Sequence, residues 1–185
     1  MAANAFTKIQ STTLQSSQNN ITFSSIPQTY TDLQLTVSTR SANSGDLPYF
    51  RFGTGNTEDT GSNYTKVYQG MYGDTATQTP TLLRGFFTDQ TYLVFNQVNT
   101  PVISSSLRVN YVINIFNYTN TTWHKSGLAH FSHSLNGNGY TSLNETHINA
   151  ILWSNTGALN YIKIYSSAND FGIGTTASLY GIKAA

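Results

Sequence analysis

The chain has 185 residues, a formal net charge of +1, no cysteine, 13% aromatic residues and only 9% charged ones. That length suits one domain burying roughly 70% of its unfolded surface, and the absent thiols exclude disulfides and zinc–thiolate sites. The nine Lys and Arg stand at least eleven residues apart, so there is no basic run for a phosphate backbone, and nucleic acid is not an expected partner.

At the N-terminus, "MAANAFTKIQ" has neither a cationic start nor an apolar run, so no secretory signal is expected. The longest clean apolar runs, "YLVF" and "AILW", span four residues, far short of the ~20 that cross a bilayer. No membrane partner is expected, and synthesis in a cytoplasm is.

Period two dominates from there on. Phe6–Gln15 and Ile21–Ile26 read as strands, and "SSQNN" between them reads as a hairpin turn. Pro27 then sets a corner, because it fixes its own φ and biases Ile26 toward an extended backbone. "LQLTV" places Leu33, Leu35 and Val37 on one face, with Gln34 and Thr36 on the other. "SLRVNYVINIFNY" alternates Leu107, Val109, Tyr111, Ile113 and Ile115 with Arg108, Asn110, Val112, Asn114 and Phe116. Each pattern marks a strand with one face in a core.

"ANSGD", "GTGNTEDTGSN", "LNGNG" and "SANDFGIGT" are turn-rich and separate the runs. "SLNE" from Ser142 matches a helix capping box, but β-branched Thr146, Ile148 and Ile151 oppose a helix beyond a single turn. Near the end, "YIKIYS" and "ASLYGIK" alternate again, and Gly181 would permit close backbone approach. Nine or ten strands at this spacing imply an all-β fold: a single-domain antiparallel β-sandwich, jelly-roll-like, over residues 1–185. Residues 1–10 could serve as a contact arm.

Catalytic constellations are weak. The sequence has no G-x-S-x-G, P-loop or G-x-G-x-x-G. His130 and His133, three apart on a strand, face opposite sides, and no metal or cofactor is expected. Glu145 and His147 read as a surface hydrogen-bonded pair. "DTGSN" from Asp59 matches an aspartic-protease triplet only superficially, in a polar loop with no second copy. No enzyme activity is expected.

The aromatic residues remain. Core packing takes many of them, but Tyr64, Tyr68 and Tyr72 are four apart and read as lying around turns, where they cannot all reach one interior. These three, with Phe6, Phe86, Phe87 and Trp123, are the candidate interface residues.

"ITFSSIPQTYTDLQL" (Ile21 to Leu35), "GSNY" (Gly61 to Tyr64) and "FGIGTTASLYGI" (Phe171 to Ile182) resemble a pattern in virion proteins of tailed bacteriophages, especially those of cyanobacteria and other aquatic bacteria. The resemblance brackets the domain and leaves about Tyr72 to Trp153 unmatched. It implies a non-enzymatic structural protein on the capsid exterior: a decoration, or cement, protein bound to the major capsid protein. Self-association is expected, with a trimer ahead of a dimer. The alternative is a tail-fibre, receptor-binding or carbohydrate-binding sandwich. There Trp123, Trp153 and the variable middle would meet a host glycan.

Overall fold

The computed structural model describes residues 5–41, 47–74, 79–95, 108–134 and 143–183. Within them lie twelve strands and no helix, two or three strands more than the sequence pattern suggests. All pair antiparallel in two sheets that share one apolar core.

The larger sheet has eight strands. In spatial order they are β1 (Phe6–Thr13), β12 (Thr176–Ile182), β3 (Asp32–Thr39), β8 (Val109–Phe116), β9 (Lys125–Ser134), β10 (Leu143–Trp153), β6 (Tyr64–Asp74) and β7 (Thr79–Gln90). The smaller sheet orders β2 (Asn20–Phe23), β11 (Tyr161–Ser166), β4 (Pro48–Thr54) and β5 (Thr57–Glu58). The set β1-β12-β3-β8 against β2-β11-β4-β5 is jelly-roll winding, because chain neighbours β1/β2, β3/β4 and β11/β12 lie in opposite sheets. Strands β9, β10, β6 and β7 extend the larger sheet, where Phe52 of β4 reaches Trp153 of β10 and Tyr64 of β6.

The alternation seen in the sequence becomes the core. Leu33, Leu35 and Val37 on β3 and Val109, Tyr111, Ile113 and Ile115 on β8 are buried; Leu107 lies outside the described residues. From the other sheet come Ile21, Phe23, Phe50, Phe52, Ile162 and Ile164. Phe50 packs on Phe95 and Tyr111, with ring centroids 5.1 and 5.5 Å away. Phe52 meets Trp153 edge-on at 5.9 Å.

Three local expectations change. "SSQNN" is no hairpin turn, since β1 pairs with β12 and β2 with β11. The segment crosses between sheets, held by Leu14 N–H donating to Thr175 O and by reciprocal bonds between Gln18 and Phe171. The single helical turn that the capping box allowed and the β-branched residues opposed is strand from Leu143 on: Asn144–Trp153 pairs on both sides, with β9 and β6, while Ser142 lies outside the described residues. Residues 6–10, expected as an arm, belong to β1 along β12; residues 1–4 lie outside the described set.

The corner after β2 does form. Ile26 is buried, its N–H donates to Asn160 O, and the Tyr118 hydroxyl donates to Pro27 O. At the far end of the chain, Gly181 lies directly against the Tyr30 ring, where any added Cβ would collide.

Phe50→Ala is expected to destabilise by about 3–5 kcal/mol and Gly181→Ala by about 1–3 kcal/mol through overpacking on Tyr30. Gly73→Ala, which would meet nothing within 4 Å, should leave the urea midpoint unchanged or slightly higher. A Gly181→Ala midpoint equal to wild type would refute the close-approach reading.

Candidate functional site

The outward face of the larger sheet changes character across its width. Over β12, β3 and β8 it is mainly polar, with Ser178, Gln34, Thr36, Ser38, Asn110 and Asn114 beside Tyr180, Val112 and Phe116, and the Gln34 amide donates to Asn114 Oδ1 at 2.8 Å. Over β10, β6 and β7 the residues at equivalent positions are Ile148, Val67, Met71, Leu82 and Phe86. Register places Val67 between Ala150 and Phe86, Met71 between Thr146 and Leu82, and Gln69 between Ile148 and Arg84. Phe86 is 70% exposed and the other four apolar residues are 48–56% exposed.

Single exposed apolar side chains are ordinary, but a contiguous group across three adjacent strands marks a docking surface. Arg84 is the one Lys, Arg, Asp or Glu among the described outward positions of this patch. Over it lies an open concavity of about 770 Å³, lined by Val67, Met71, Arg84, Phe86 and Ile148 among others.

The opposite face of the same strands is buried and polar. Glu145, His147 and Asn149 alternate along β10 and point inward with Lys66 of β6. His147 Nε2 lies 2.5 Å from Glu145 Oε1, so this pair sits on one strand in the interior, not on the surface as the sequence suggested. Tyr68 stacks on the imidazole at 5.9 Å and Phe131 leans on it at 4.8 Å. Gly70 leaves room for the ring, since a Cβ there would strike it.

Lys66 donates to Val94 O and its ammonium lies 5.0 Å from the centre of the Phe87 ring. Burial pulls its pKa down to about 7. Among the described residues no three His, Cys, Asp or Glu groups are placed to hold a metal together.

Asp59, from the "DTGSN" run, is a structural brace. Its carboxylate accepts from Gly61 N–H at 2.8 Å, Asn63 Nδ2 at 2.9 Å and Trp153 Nε1 at 2.8 Å. Burial alone would raise this carboxyl, but the donors, Trp153 and Asn63 foremost, hold it below the usual range. Glu58 behaves alike: burial opposes the charge, and Lys163 at 2.7 Å and Arg51 at 3.1 Å overcome it. These two cations lie on the outward face of the smaller sheet beside a tyrosine group. There Tyr49 stacks on Tyr92 at 4.1 Å and Tyr165 meets Tyr49 edge-on.

The expected interface residues are dispersed. Phe86 lies in the apolar patch. Phe6 sits at the opposite edge of the sheet, exposed and stacked on Tyr180 at 4.7 Å. Trp123 is 71% exposed on the β8–β9 loop, its N–H held by Asn120 Oδ1 and its carbonyl by Lys125 Nζ. Phe87 and half-buried Tyr68 face inward.

Tyr64 is a correction: it is fully buried, and its hydroxyl donates to backbone carbonyls of the β4–β5 region and accepts from Phe52 N–H. The tyrosines do not lie around turns. Tyr64, Tyr68 and Tyr72 lie on one unbroken strand, where a spacing of four keeps them on one face. Burial then falls with distance from the smaller sheet; the Tyr72 side chain lies outside the described residues.

Val67, Met71, Leu82 and Ile148 escaped the sequence reading. The available signal was that "KVYQGMYG" and "TLLRGFF" place apolar residues at both parities, which leaves one set facing out. No protein-family model, curated protein or solved structure matches the chain, so the functional reading rests on its own residues.

Two pH effects follow. Unfolded Lys66 binds its proton up to about pH 10.4, whereas the folded state releases it near 7. Stability therefore rises with pH between those values. The urea midpoint is expected to climb between about pH 7 and pH 9 in the wild type and to stay flatter in Lys66→Met; equal slopes would refute this.

Glu58 and Asp59 carry the opposite sign. Their depressed pKa values contribute stability above the unfolded carboxyl range, about pH 4, and lose it as pH falls through the folded values. Glu58→Gln should therefore lose less stability between about pH 6 and pH 3 than the wild type does.

Proposed function

We propose that the protein is a non-enzymatic virion structural protein of a tailed bacteriophage, a capsid decoration (cement) protein that binds the shell of major capsid protein and stabilises it. One observation carries the docking part of this reading: a rigid two-sheet body that presents a contiguous, nearly uncharged apolar surface on β10, β6 and β7. Surfaces of that kind serve association. The phage part rests on the resembling segments, whose residues hold the frame in place. Ile26 and Pro27 form the corner, Asp59 to Tyr64 form the brace and its buried tyrosine, and Gly181 seats Tyr30. A cement protein gains from modest contacts repeated by symmetry, since linked sites raise avidity without a tighter single contact.

A second reading has its own support. Trp123 is exposed on a loop held by three hydrogen bonds, and a rigid aromatic tip suits a receptor or glycan surface.

Purified protein is expected to co-sediment with phage heads that lack it and to raise their resistance to heat, with immunogold label on heads and not on tails. Tail label, together with glycan-array binding lost in Trp123→Ala, would replace decoration with adhesion.

A further inference from the structure

The apolar patch is a permanent feature of the free chain, so its partner must be at hand wherever the chain is made. We infer that the outward face of β10, β6 and β7 is covered by a second copy of this chain in a two-fold dimer. The inference goes beyond the decoration reading: it gives this surface to a second copy, and a dimer that also decorates a shell would meet it through other faces.

Area and polarity agree with this occupant. Val67, Met71, Leu82, Phe86 and Ile148, at exposures of 48–70%, leave roughly 600 Å² of mostly apolar surface in water, judged by typical side-chain areas. A standard interface takes about 800 Å² from each partner, and the polar residues of the same face, Thr65 and Thr146 at its margin with Gln69 and Arg84 at its middle, can supply the remainder. Homodimer interfaces are also more apolar than transient ones. A net charge of +1 sets little long-range repulsion between copies.

Shape points to the two-fold. Phe86 is the most exposed of these residues, and it forms part of the wall of the concavity of about 770 Å³. A knob and a hollow on one surface are self-complementary: a two-fold lets each copy seat its Phe86 in the other's hollow, and the contact closes with two copies.

The edge of β7 argues against the competing self-contact, strand-to-strand pairing. Between its pairings with Lys66 and Tyr64 the strand carries an extra residue, and Asp89 has φ 55° there; Pro80 removes a donor near its start. Both features blunt an edge. The copies therefore meet face to face.

Light scattering and sedimentation of the full chain at tens of micromolar test this. The wild type is expected at twice the chain mass, with Phe86→Asp and, independently from another strand, Ile148→Asp at a single chain mass. Each should raise the dissociation constant by more than about a hundredfold and leave the circular dichroism spectrum and thermal midpoint near wild type. Trp123→Asp, outside the patch, should remain dimeric. A monomeric wild type, a mass of three chains, or a dimer that survives both patch variants would overturn the inference. Head binding separates the two proposals: a dimer that ignores phage heads leaves this inference standing and sinks decoration. A monomer whose head binding is lost in Phe86→Asp does the reverse.

Discussion

Eight strands lie opposite four, and that inequality governs the rest of the molecule. A sheet face is stable in water when it is polar or when another layer covers it. The smaller sheet covers the larger one chiefly where β1, β12, β3 and β8 run, with Phe52 reaching Trp153 and Tyr64, and β3 there reads apolar inward and polar outward but for buried Thr39. Beyond β8 the covering layer has no further strands among the described residues. The inward positions of β10 and β6 then mix buried polar groups, Glu145, His147, Asn149 and Lys66, with the core residues Ile151, Trp153 and Tyr64, while the outward positions include exposed Ile148, Val67 and Met71. The usual polarity of a sandwich is thus relaxed, not inverted, towards the far end of the extension.

The buried polar groups show how that relaxed pattern is held in place. A lone buried charge costs several kcal/mol, and the structure meets this in three ways. The carboxylate of Asp59 gathers neutral donors, including an indole N–H from β10. Glu58 takes two cations at half-buried positions. Glu145 has His147 two residues along its strand, with aromatic rings on both sides of the imidazole. For Glu58 and Asp59 the consequence is stability that depends on pH.

Much of the frame was legible because its causes are local. Alternation over β3 and β8 names the core residues directly, Pro27 announces the corner, and Gly181 in an apolar strand marks a close approach. What stayed illegible depends on what lies across from a residue. Nothing near "SSQNN" says that the next strand pairs with β11 instead of β1; that is set by bonds to Phe171 and Thr175, more than 150 residues away. The capping-box residues at Ser142 to Glu145 favour a helix start, and pairing on two sides outweighs them. Tyr64 and Phe86 are alike in composition terms, yet one lies under the smaller sheet and the other beyond its reach. The site was therefore half visible: Phe86 was singled out as an aromatic, while its neighbours Val67, Met71, Leu82 and Ile148 were invisible until register set them side by side.

An uncovered apolar face at the end of a long sheet carries a risk, because the same surface that docks one partner can nucleate open-ended association. The sequence answers at the boundary strand. The extra residue and left-handed Asp89 twist the end of β7, Pro80 interrupts its beginning, and Arg84 sits midway between them on the outward face. In-plane growth from β7 would have to bridge an irregular edge, whereas contact across the face does not. The chemistry of the margin thus disfavours growth into fibres.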